Sequence, residues 1–410
     1  AYRRAITIDH NEVIGDSGDT VDLIDFPVLI KESGAWLRNS SYIDGRIEDI
    51  NGYDIIFKDS TDTLTLAHEI EYYNEGSEAT KGELIAWVKI PALDADANTV
   101  IYMYYGNSCV TAETQNKNAV WNSGYKGVWH LKEDPDSDGG TKEIGDSTSN
   151  ANHGNSDGTD FPNNLPAQVA GKIDGSLNSD STQERHVLVG DHGSLQLDTA
   201  MTISAWVQTT DTVPTYYGAI LNKWGAAAPD QNFGLGKWAD GTTLQFFVDG
   251  GTESVTAPLN LITSDGEFHH VVCVADYDSS PKKLRLYIDG NEEGSADYDG
   301  TSTMGTADLQ MLNSVTPNQE FNGTIDEIRI SSVVRTAGWI ETSFNNQDDP
   351  SAFYSLENEA TTGWITGSGD PVGAYTVPPG SDRLLVLITA WESAGGLRTI
   401  TGVTFGLSLI

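Results

Sequence analysis

The stretch 267–295 carries the clearest pattern of apolar and polar positions in the chain. Residues 271–274 are continuously apolar and bounded by charged turns, which predicts a strand buried on both faces. Residues 284–288 alternate Leu-Arg-Leu-Tyr-Ile, which predicts a half-buried strand. Asp289-Gly290 then supplies the residue pair that a type I′ hairpin turn favours. A near copy of this unit, LQFFVDGGTES at 244–254, indicates antiparallel β-sheet rather than a helical fold.

Five such blocks follow one another in the second half of the chain: TISAWVQ (202–208), GAILNKWG (218–225), NFGLGKWADGTTLQFFVDG (232–250), GEFHHVVCVADYDSSPKKLRLYIDG (266–290) and FNGTIDEIRIS (321–331). In this order they resemble the laminin-G/pentraxin branch of the concanavalin A-like jelly rolls. GVWHLKED, from residue 127, looks like the opening strand of this fold. The resemblance implies that the first and last strands lie side by side.

The N-terminal segment alternates in the same short-strand manner. Its blocks DFPVLI, YDIIFKDSTDTLTLAHEIEYYN and AWVKIPALDADANTVIYMYYGN resemble an uncharacterised domain of bacterial and archaeal surface proteins. Such a domain commonly precedes a laminin-G-like domain. The resemblance implies an architecture and a location, but no chemistry.

A chain of 410 residues is too long for one ordinary core, so two or three domains are expected. We predict an all-β protein with a β-sandwich at 1–112, a laminin-G/concanavalin A-like jelly roll at 120–357 and the start of a third, incomplete β-domain at 361–410. WIETSFNN, near residue 340, predicts a short helix that caps the end of the sandwich.

The charge of the chain excludes some partners. The sequence has 60 acidic and 23 basic residues, a net charge of -37, so nucleic acid and anionic membranes would be repelled. No stretch has the roughly 20 apolar residues that a membrane span needs. Bound divalent cations, a saline medium or plain solubility outside the cell each account for the acidity. The chain starts at Ala1 and soon enters a strand, which suits a processed, secreted protein or a fragment of a longer one.

We expect no catalytic residues. Glycoside hydrolases of related folds carry two carboxylates in a fixed pattern on one strand, about 5–10 Å apart. The nearest pairs are Glu69-Ile70-Glu71 and Asp326-Glu327, and neither completes that pattern. The adjacent His269 and His270 point to opposite faces of a strand, so they do not share a metal.

Calcium is the predicted cofactor, with two alternative sites. Asp134, Asp136 and Asp138 alternate, with Gly139 at the sixth position, like a calcium loop; yet the twelfth position is Gly145, so a solvated acidic loop is an equal alternative. The laminin-G resemblance implies a second site at an edge of the sandwich. Its candidate ligands are Asp146, Asn150, Asn152 and Asp326.

Aromatic rings beside amide and carboxylate groups mark a candidate glycan site, because sugars present apolar faces fringed with hydroxyls. The predicted ligand-binding residues are Tyr216, Tyr217, Trp224, Asp230, Asn232 and Trp238, with Asn222 close by. Packing at the rim of the sandwich is the alternative role of these tryptophans. Trp206 is predicted to lie in the core, and Trp339 and Trp364 to pack domains together.

These patterns favour an extracellular or cell-surface protein that binds a glycan or a surface partner without catalysis. A structural subunit of a surface layer, filament or virion is the alternative, because incomplete sheets expose edges through which copies of the chain self-associate. A third possibility is an accessory binding region of a polysaccharide-degrading enzyme.

Overall fold

The computed structural model describes residues 2–361, apart from 17–20, 123, 136–142, 157–164, 181–184, 214–215, 226–230, 301–303 and 314–318. Asp136, Asp138, Asp230 and Trp364 lie outside the described residues, as does nearly all of the predicted third domain at 361–410.

The described elements are almost all strands. The first part contains β1 (Tyr2–Ile8), β2 (Leu23–Gly34), β3 (Ile56–Asp59), β4 (Thr65–Leu66), β5 (His68–Asn74), β6 (Gly82–Leu93), β7 (Thr99–Tyr105) and the short helix α1 (Lys117–Val120). The second part contains β8 (Tyr125–Trp129), β9 (Glu143–Ile144), β10 (Gly154–Asn155), β11 (Ala167–Ala170), β12 (Gly175–Asp180), β13 (Val187–Gly190), β14 (Ala200–Gln208), β15 (Gly218–Trp224), β16 (Gln231–Lys237), β17 (Thr243–Val248), β18 (Glu253–Pro258), β19 (His269–Asp276), β20 (Lys282–Ile288), β21 (Asn291–Tyr298), β22 (Leu309–Met311) and β23 (Asn322–Ser331). The last described elements are α2 (Ala337–Asp348), α3 (Pro350–Phe353), β24 (Tyr354–Leu356) and β25 (Ala360–Thr361).

The first domain is a two-sheet sandwich. One sheet has the order β24-β1-β7-β3-β4, with β25 also paired to β1, and the other has the order β2-β6-β5. Strand β6 is buried on both faces: Leu84, Ala86 and Val88 enter the sandwich core, whereas Ile85 and Trp87 pack with Val128 and other residues of the second domain. The continuous apolar run of β6 therefore reflects a sheet that is covered on both sides.

The second domain is the predicted jelly roll. Its front sheet has the order β18-β17-β16-β15-β22-β13-β10-β9, and its back sheet has the order β11-β12-β23-β14-β19-β20-β21, with β8 paired to β23. The opening and closing strands thus lie side by side, as the resemblance implied. Residues 269–275 are buried, which confirms the predicted buried strand.

The chain returns to the first domain after the jelly roll. Strands β24 and β25 pair with β1, and Trp339, Phe353 and Tyr354 enter the core of the first sandwich. Two predictions are corrected here. The jelly roll does not extend to 357 as a separate domain, because residues 354–361 complete the first sandwich. The N-terminal strand was expected to expose a sheet edge, but β1 is paired on both sides, with β7 and with β24 and β25; self-association through other edges stays a prediction.

Helix α2 confirms the predicted short helix, but it is wedged between the domains. Trp339 faces the first core, while Ile340 packs on Val272, Val274 and Tyr287 of the back sheet. Trp206 is fully buried, and its indole Nε1 donates to Gln347 Oε1 of α2 at 2.8 Å. The predicted domain-packing role of Trp339 is confirmed. Among the described residues, no helix is long and apolar enough to cross a membrane.

The hairpin turn between β20 and β21 supplies a test of the fold. Asp289 and Gly290 have φ values of 50° and 82°, as a type I′ turn requires. A Cβ at Gly290 would lie 3.2 Å from the Cα of Glu341 in α2. We therefore expect Gly290→Ala to lower the free energy of unfolding by about 1–3 kcal/mol in urea titrations. The matched control is Gly193→Ala.

Gly193 is exposed, and a Cβ there meets nothing within 4 Å. Its substitution should change stability by no more than about 0.5 kcal/mol. Equal losses in the two variants would contradict the special role of the turn.

Candidate functional site

A pocket of about 430 Å³ opens on the outer face of the front sheet. Leu244, Phe246 and Val248 of β17 point into the jelly-roll core, so Gln245 and Phe247 between them face outward. Aromatic and amide side chains line the pocket, among them Tyr217, Asn222, Trp224, Trp238, Gln245 and Phe247. We call this set the aromatic pocket.

Glycines on β16 allow the rings to lie flat on the sheet. A Cβ at Gly234 would lie 2.3 Å from the ring of Phe247, and a Cβ at Gly236 would lie 2.8 Å from Cζ of Tyr217. The Phe247 ring centroid is 5.7 Å from that of Tyr217 and 5.1 Å from that of Trp224, the latter edge-to-face. The Gly-Leu-Gly sequence at 234–236 therefore leaves space for the rings of Tyr217, Trp224 and Phe247, which form the base of the pocket and are called the aromatic floor.

Three polar atoms of this pocket are buried with no hydrogen-bond partner among the described residues: Tyr217 Oη, Asn222 Oδ1 and Gln245 Oε1. Asn222 is only 1% exposed, and its Nδ2 donates to the carbonyl of Asn313, which fixes the direction of Oδ1. Burial raises the pKa of Tyr217 well above its ordinary value, so the phenol stays neutral and able to donate. Buried polar atoms normally have partners, and a ligand would supply them.

The structure brings together Tyr217, Trp224 and Trp238 of the predicted ligand-binding residues. Two others, Tyr216 and Asn232, form hydrogen bonds with residues that do not line the pocket. The Tyr216 hydroxyl donates to Asp211, and Asn232 Oδ1 accepts from the amide of Gly305 at 2.6 Å.

Sequence reasoning missed Phe247 and Gln245. The signal was present, because the alternation of β17 places them opposite the core residues Leu244 and Phe246.

The predicted calcium ligands fall into separate places. Asp134 is exposed in a loop. Asp146, Asn150 and Asn152 share one loop, where Asp146 Oδ1 accepts from the Val128 amide and Oδ2 accepts from the Asn152 amide.

Asp326 Oδ2 instead accepts from the amides of Lys172 and Ile173, at 2.8 and 3.1 Å. The hydrogen bonds of Asp146 and Asp326 thus share no partner, and calcium stays a prediction.

A second group of polar side chains lies buried where the two domains meet. We call it the interdomain cluster, and its members are Glu69, Glu71, His130, Asp326, Glu327 and Arg329. Glu69 and Glu71 come from the same face of β5, and His130 directly follows β8. On β23, Glu327 has φ +51° beside a break in the pairing with β14, so a bulge turns its side chain into the cluster.

His130 lies at the centre of this cluster. Its Nδ1 is 2.7 Å from Glu327 Oε1 and 3.3 Å from Glu71 Oε2, and its Nε2 is 3.3 Å from Glu69 Oε2. Burial lowers the pKa of His130, but these three carboxylates outweigh burial and hold it well above its ordinary value. The imidazole therefore joins strands from both domains.

Two indoles and a guanidinium orient the carboxylates. Trp87 Nε1 donates to Glu71 Oε2 at 2.7 Å. Arg329 Nη2 donates to Glu327 Oε2 at 2.6 Å, and its guanidinium lies 4.1 Å from the Trp87 ring and 4.9 Å from the Trp121 ring. The only cations in direct contact with these carboxylates, among the described residues, belong to His130 and Arg329.

Burial and the neighbouring charges also change the pKa values of the other carboxyl groups in the cluster. Burial raises the pKa of Glu71 to about 7, and burial with the nearby Glu327 raises that of Asp326 well above its ordinary value. Burial also acts on Glu69, but His130 lowers its pKa to about 2. The pair Glu69 and Glu71 and the pair Asp326 and Glu327 are far apart in the sequence, so they come together only in the folded protein. Because they are sealed between domains, a polysaccharide chain does not reach them.

Comparisons with known proteins were consistent with the fold. Residues 180–341 match the model of the concanavalin A-like lectin/glucanases superfamily, and residues 51–127 match a domain of unknown function (DUF2341). No curated protein sequence matches the chain significantly.

Three solved structures illustrate the likeness. The binding domain of paraclostridial mosquitocidal protein 1 is 12% identical, with a TM-score of 0.42, over 54% of this chain and 52% of its own. Domain 4 of AbnA, a GH43 extracellular arabinanase from Geobacillus stearothermophilus, was solved in complex with arabinotriose. It is 19% identical, with a TM-score of 0.37, over 53% of this chain and 96% of its own. The binding domain of botulinum neurotoxin serotype D/C is 10% identical, with a TM-score of 0.40, over 55% and 52%.

The match spans about half the length of the two toxin structures. Both resemblances seen in the sequence are confirmed by these matches, of residues 180–341 to the concanavalin A-like lectin/glucanases superfamily and of residues 51–127 to DUF2341.

Proposed function

We propose that the protein is a non-catalytic, extracellular binding protein whose jelly roll recognises a glycan in the aromatic pocket. The observation that carries the proposal is the combination of an aromatic floor with three buried polar atoms that have no hydrogen-bond partner in the part of the chain that the structure describes, Tyr217 Oη, Asn222 Oδ1 and Gln245 Oε1. A pocket of about 430 Å³ is within the size range of small-molecule sites.

Sugars match this combination of surfaces. The C–H face of a pyranose or furanose ring packs on Trp224 or Trp238, and its hydroxyls donate to the free amide oxygens. Such a site rejects ligands that lack the hydroxyls, because the buried amide oxygens would then stay unpaired. An apolar ligand fills the volume but leaves Asn222 Oδ1 and Gln245 Oε1 without donors.

The charge around the pocket favours a neutral glycan. Asp240 and Asp249 stand in the turns directly beside the pocket-lining residues 239 and 250. Hydrogen bonds from the Thr242 amide and the Thr243 hydroxyl lower the pKa of Asp240, which keeps it ionised. With a net charge of -37 on the whole chain, a sulfated or uronic-acid polymer would be repelled.

The experiment is a binding screen against immobilised neutral and acidic oligosaccharides, followed by calorimetry with the best ligand. We expect neutral ligands to bind and Trp238→Ala to weaken binding by about 5- to 30-fold, because the ring at the mouth of the pocket, 45% exposed, is lost. Its unfolding curve should be unchanged, since the side chain is not part of the core.

The control is Ile43→Ala, which removes another exposed apolar side chain, 69% exposed, from the first domain. It should bind as the wild type does. If Trp238→Ala and Ile43→Ala bind equally well, the pocket is not the site. If no glycan binds while a surface protein does, the partner is a protein and the glycan assignment fails.

A further inference from the structure

We propose that the interdomain cluster is a binding site for a divalent transition-metal ion of the zinc class, with Glu71, His130 and Glu327 as its ligands. This inference concerns the junction of the two domains and does not depend on the aromatic pocket.

The spacing of the three side chains fits one ion. One ligand atom from each of Glu71, His130 and Glu327 lies within 4.8 Å of the others, and all three residues are buried. His130 Nδ1 stands 2.7 Å from Glu327 Oε1 and 3.3 Å from Glu71 Oε2; Oε2 also accepts from Trp87, so Oε1 of the same carboxylate is the oxygen left to bind the ion. Around a zinc ion with bonds of about 2.0–2.2 Å, tetrahedral ligands stand roughly 3.3–3.6 Å apart, so only small shifts are needed. One imidazole with carboxylates suits zinc better than calcium.

The side chains that form hydrogen bonds to the proposed ligands are of the kind that surrounds metal sites. Metal-bound histidines usually donate their second ring N–H to a carboxylate. Here Nε2 of His130 faces Glu69 Oε2 at 3.3 Å, and Glu69 is itself held by Ser147 and Trp121. Glu71 accepts from the Trp87 indole in the same way, which leaves its other oxygen available.

Unpartnered oxygens provide the independent sign of a ligand. Glu71 Oε1 and Asp326 Oδ1 are buried and have no hydrogen-bond partner among the described residues. The cluster holds four carboxyl groups in all, and within the part of the chain that the structure describes only His130 and Arg329 form ion pairs with them. A divalent cation would supply the missing positive charge and a partner for Glu71 Oε1. Protons are the alternative source of that charge.

The site is sealed by the contact between the domains, so the ion would enter as they dock. The test therefore uses refolding. The chain, purified without a histidine tag, is unfolded in urea with a chelator, desalted and refolded with or without Zn²⁺, and retained zinc is measured after gel filtration. We expect about one zinc per chain, retained for hours in chelator once the protein has folded, and a higher melting temperature than that of protein refolded without the ion.

Two variants identify the ligands. His130→Gln and Glu71→Gln should each retain less than about a tenth of the wild-type zinc. The control is His269→Gln, because His269 also contacts two carboxylates, Asp265 and Asp289, yet is not a member of the interdomain cluster. It should retain zinc as the wild type does.

The wild-type measurement decides the question even if a variant fails to fold. Wild-type protein that refolds with the same melting temperature in the presence and absence of Zn²⁺ and retains none would overturn the proposal, leaving protons to neutralise the cluster. Zinc retained equally by Glu71→Gln would overturn the ligand assignment.

Discussion

Replacing Arg329 by methionine is expected to lower the free energy of unfolding by about 3–5 kcal/mol. Arg329 is buried, its Nη2 donates to Glu327 Oε2 at 2.6 Å, and its guanidinium lies 4.1 Å from the Trp87 ring and 4.9 Å from the Trp121 ring. Methionine has a similar volume but no charge, so Glu327 would keep a buried negative charge with one cation fewer. Breaking a buried ion pair on one side typically costs that much. Urea titrations followed by tryptophan fluorescence measure the loss.

Arg285→Met is the matched control. Arg285 also pairs with a glutamate, Glu292, at 3.7 Å, but on the surface of the jelly roll, where both side chains are partly exposed. Surface pairs contribute about 0–1 kcal/mol, so this variant should lose less than 1 kcal/mol. Similar losses in the two variants would mean that the interdomain cluster does not depend on the Arg329 charge.

Replacing Trp224 by alanine is expected to weaken glycan binding by at least about 30-fold. Trp224 packs edge-to-face on Phe247 at 5.1 Å and faces the pocket on the same strand as Asn222. A tryptophan at the centre of a binding surface typically contributes 2 kcal/mol or more, which corresponds to that factor. Calorimetry with the glycan found in the screen gives the affinity.

Trp224→Phe is the conservative companion of this variant. It retains an aromatic face, so binding should be weaker than in the wild type but stronger than in Trp224→Ala. Because Trp224 is only half-buried, both variants should unfold close to the wild-type urea midpoint. Full affinity in Trp224→Ala would show that this ring does not contact the ligand.

The hairpins and the jelly roll could be predicted because their signals are local. Asp289-Gly290 fixes its turn through backbone preference alone, and the buried run at 271–274 needs no knowledge of its neighbours. The return of the chain to the first domain after the jelly roll could not be predicted from local signals. Strand β24 has only three residues, too few to show a period, and its partner β1 lies at the opposite end of the described chain.

The aromatic pocket was partly visible in the sequence, whereas the interdomain cluster was not. Tyr217, Trp224 and Trp238 stood out as aromatic residues near loops, but Phe247 and Gln245 belong to a strand whose alternation only assigns them to a face. For the cluster, each acidic pair looked incomplete by itself. His130 completes it only when β5 of one domain packs against β8 and β23 of the other.

A crystal structure of the protein with the oligosaccharide selected by the screen would show whether the aromatic pocket binds a neutral glycan. We expect a sugar ring packed on Trp224 or Trp238, with hydroxyls within hydrogen-bond distance of Asn222 Oδ1 and Gln245 Oε1. An oligosaccharide bound on another surface, with the pocket open to solvent, would contradict it.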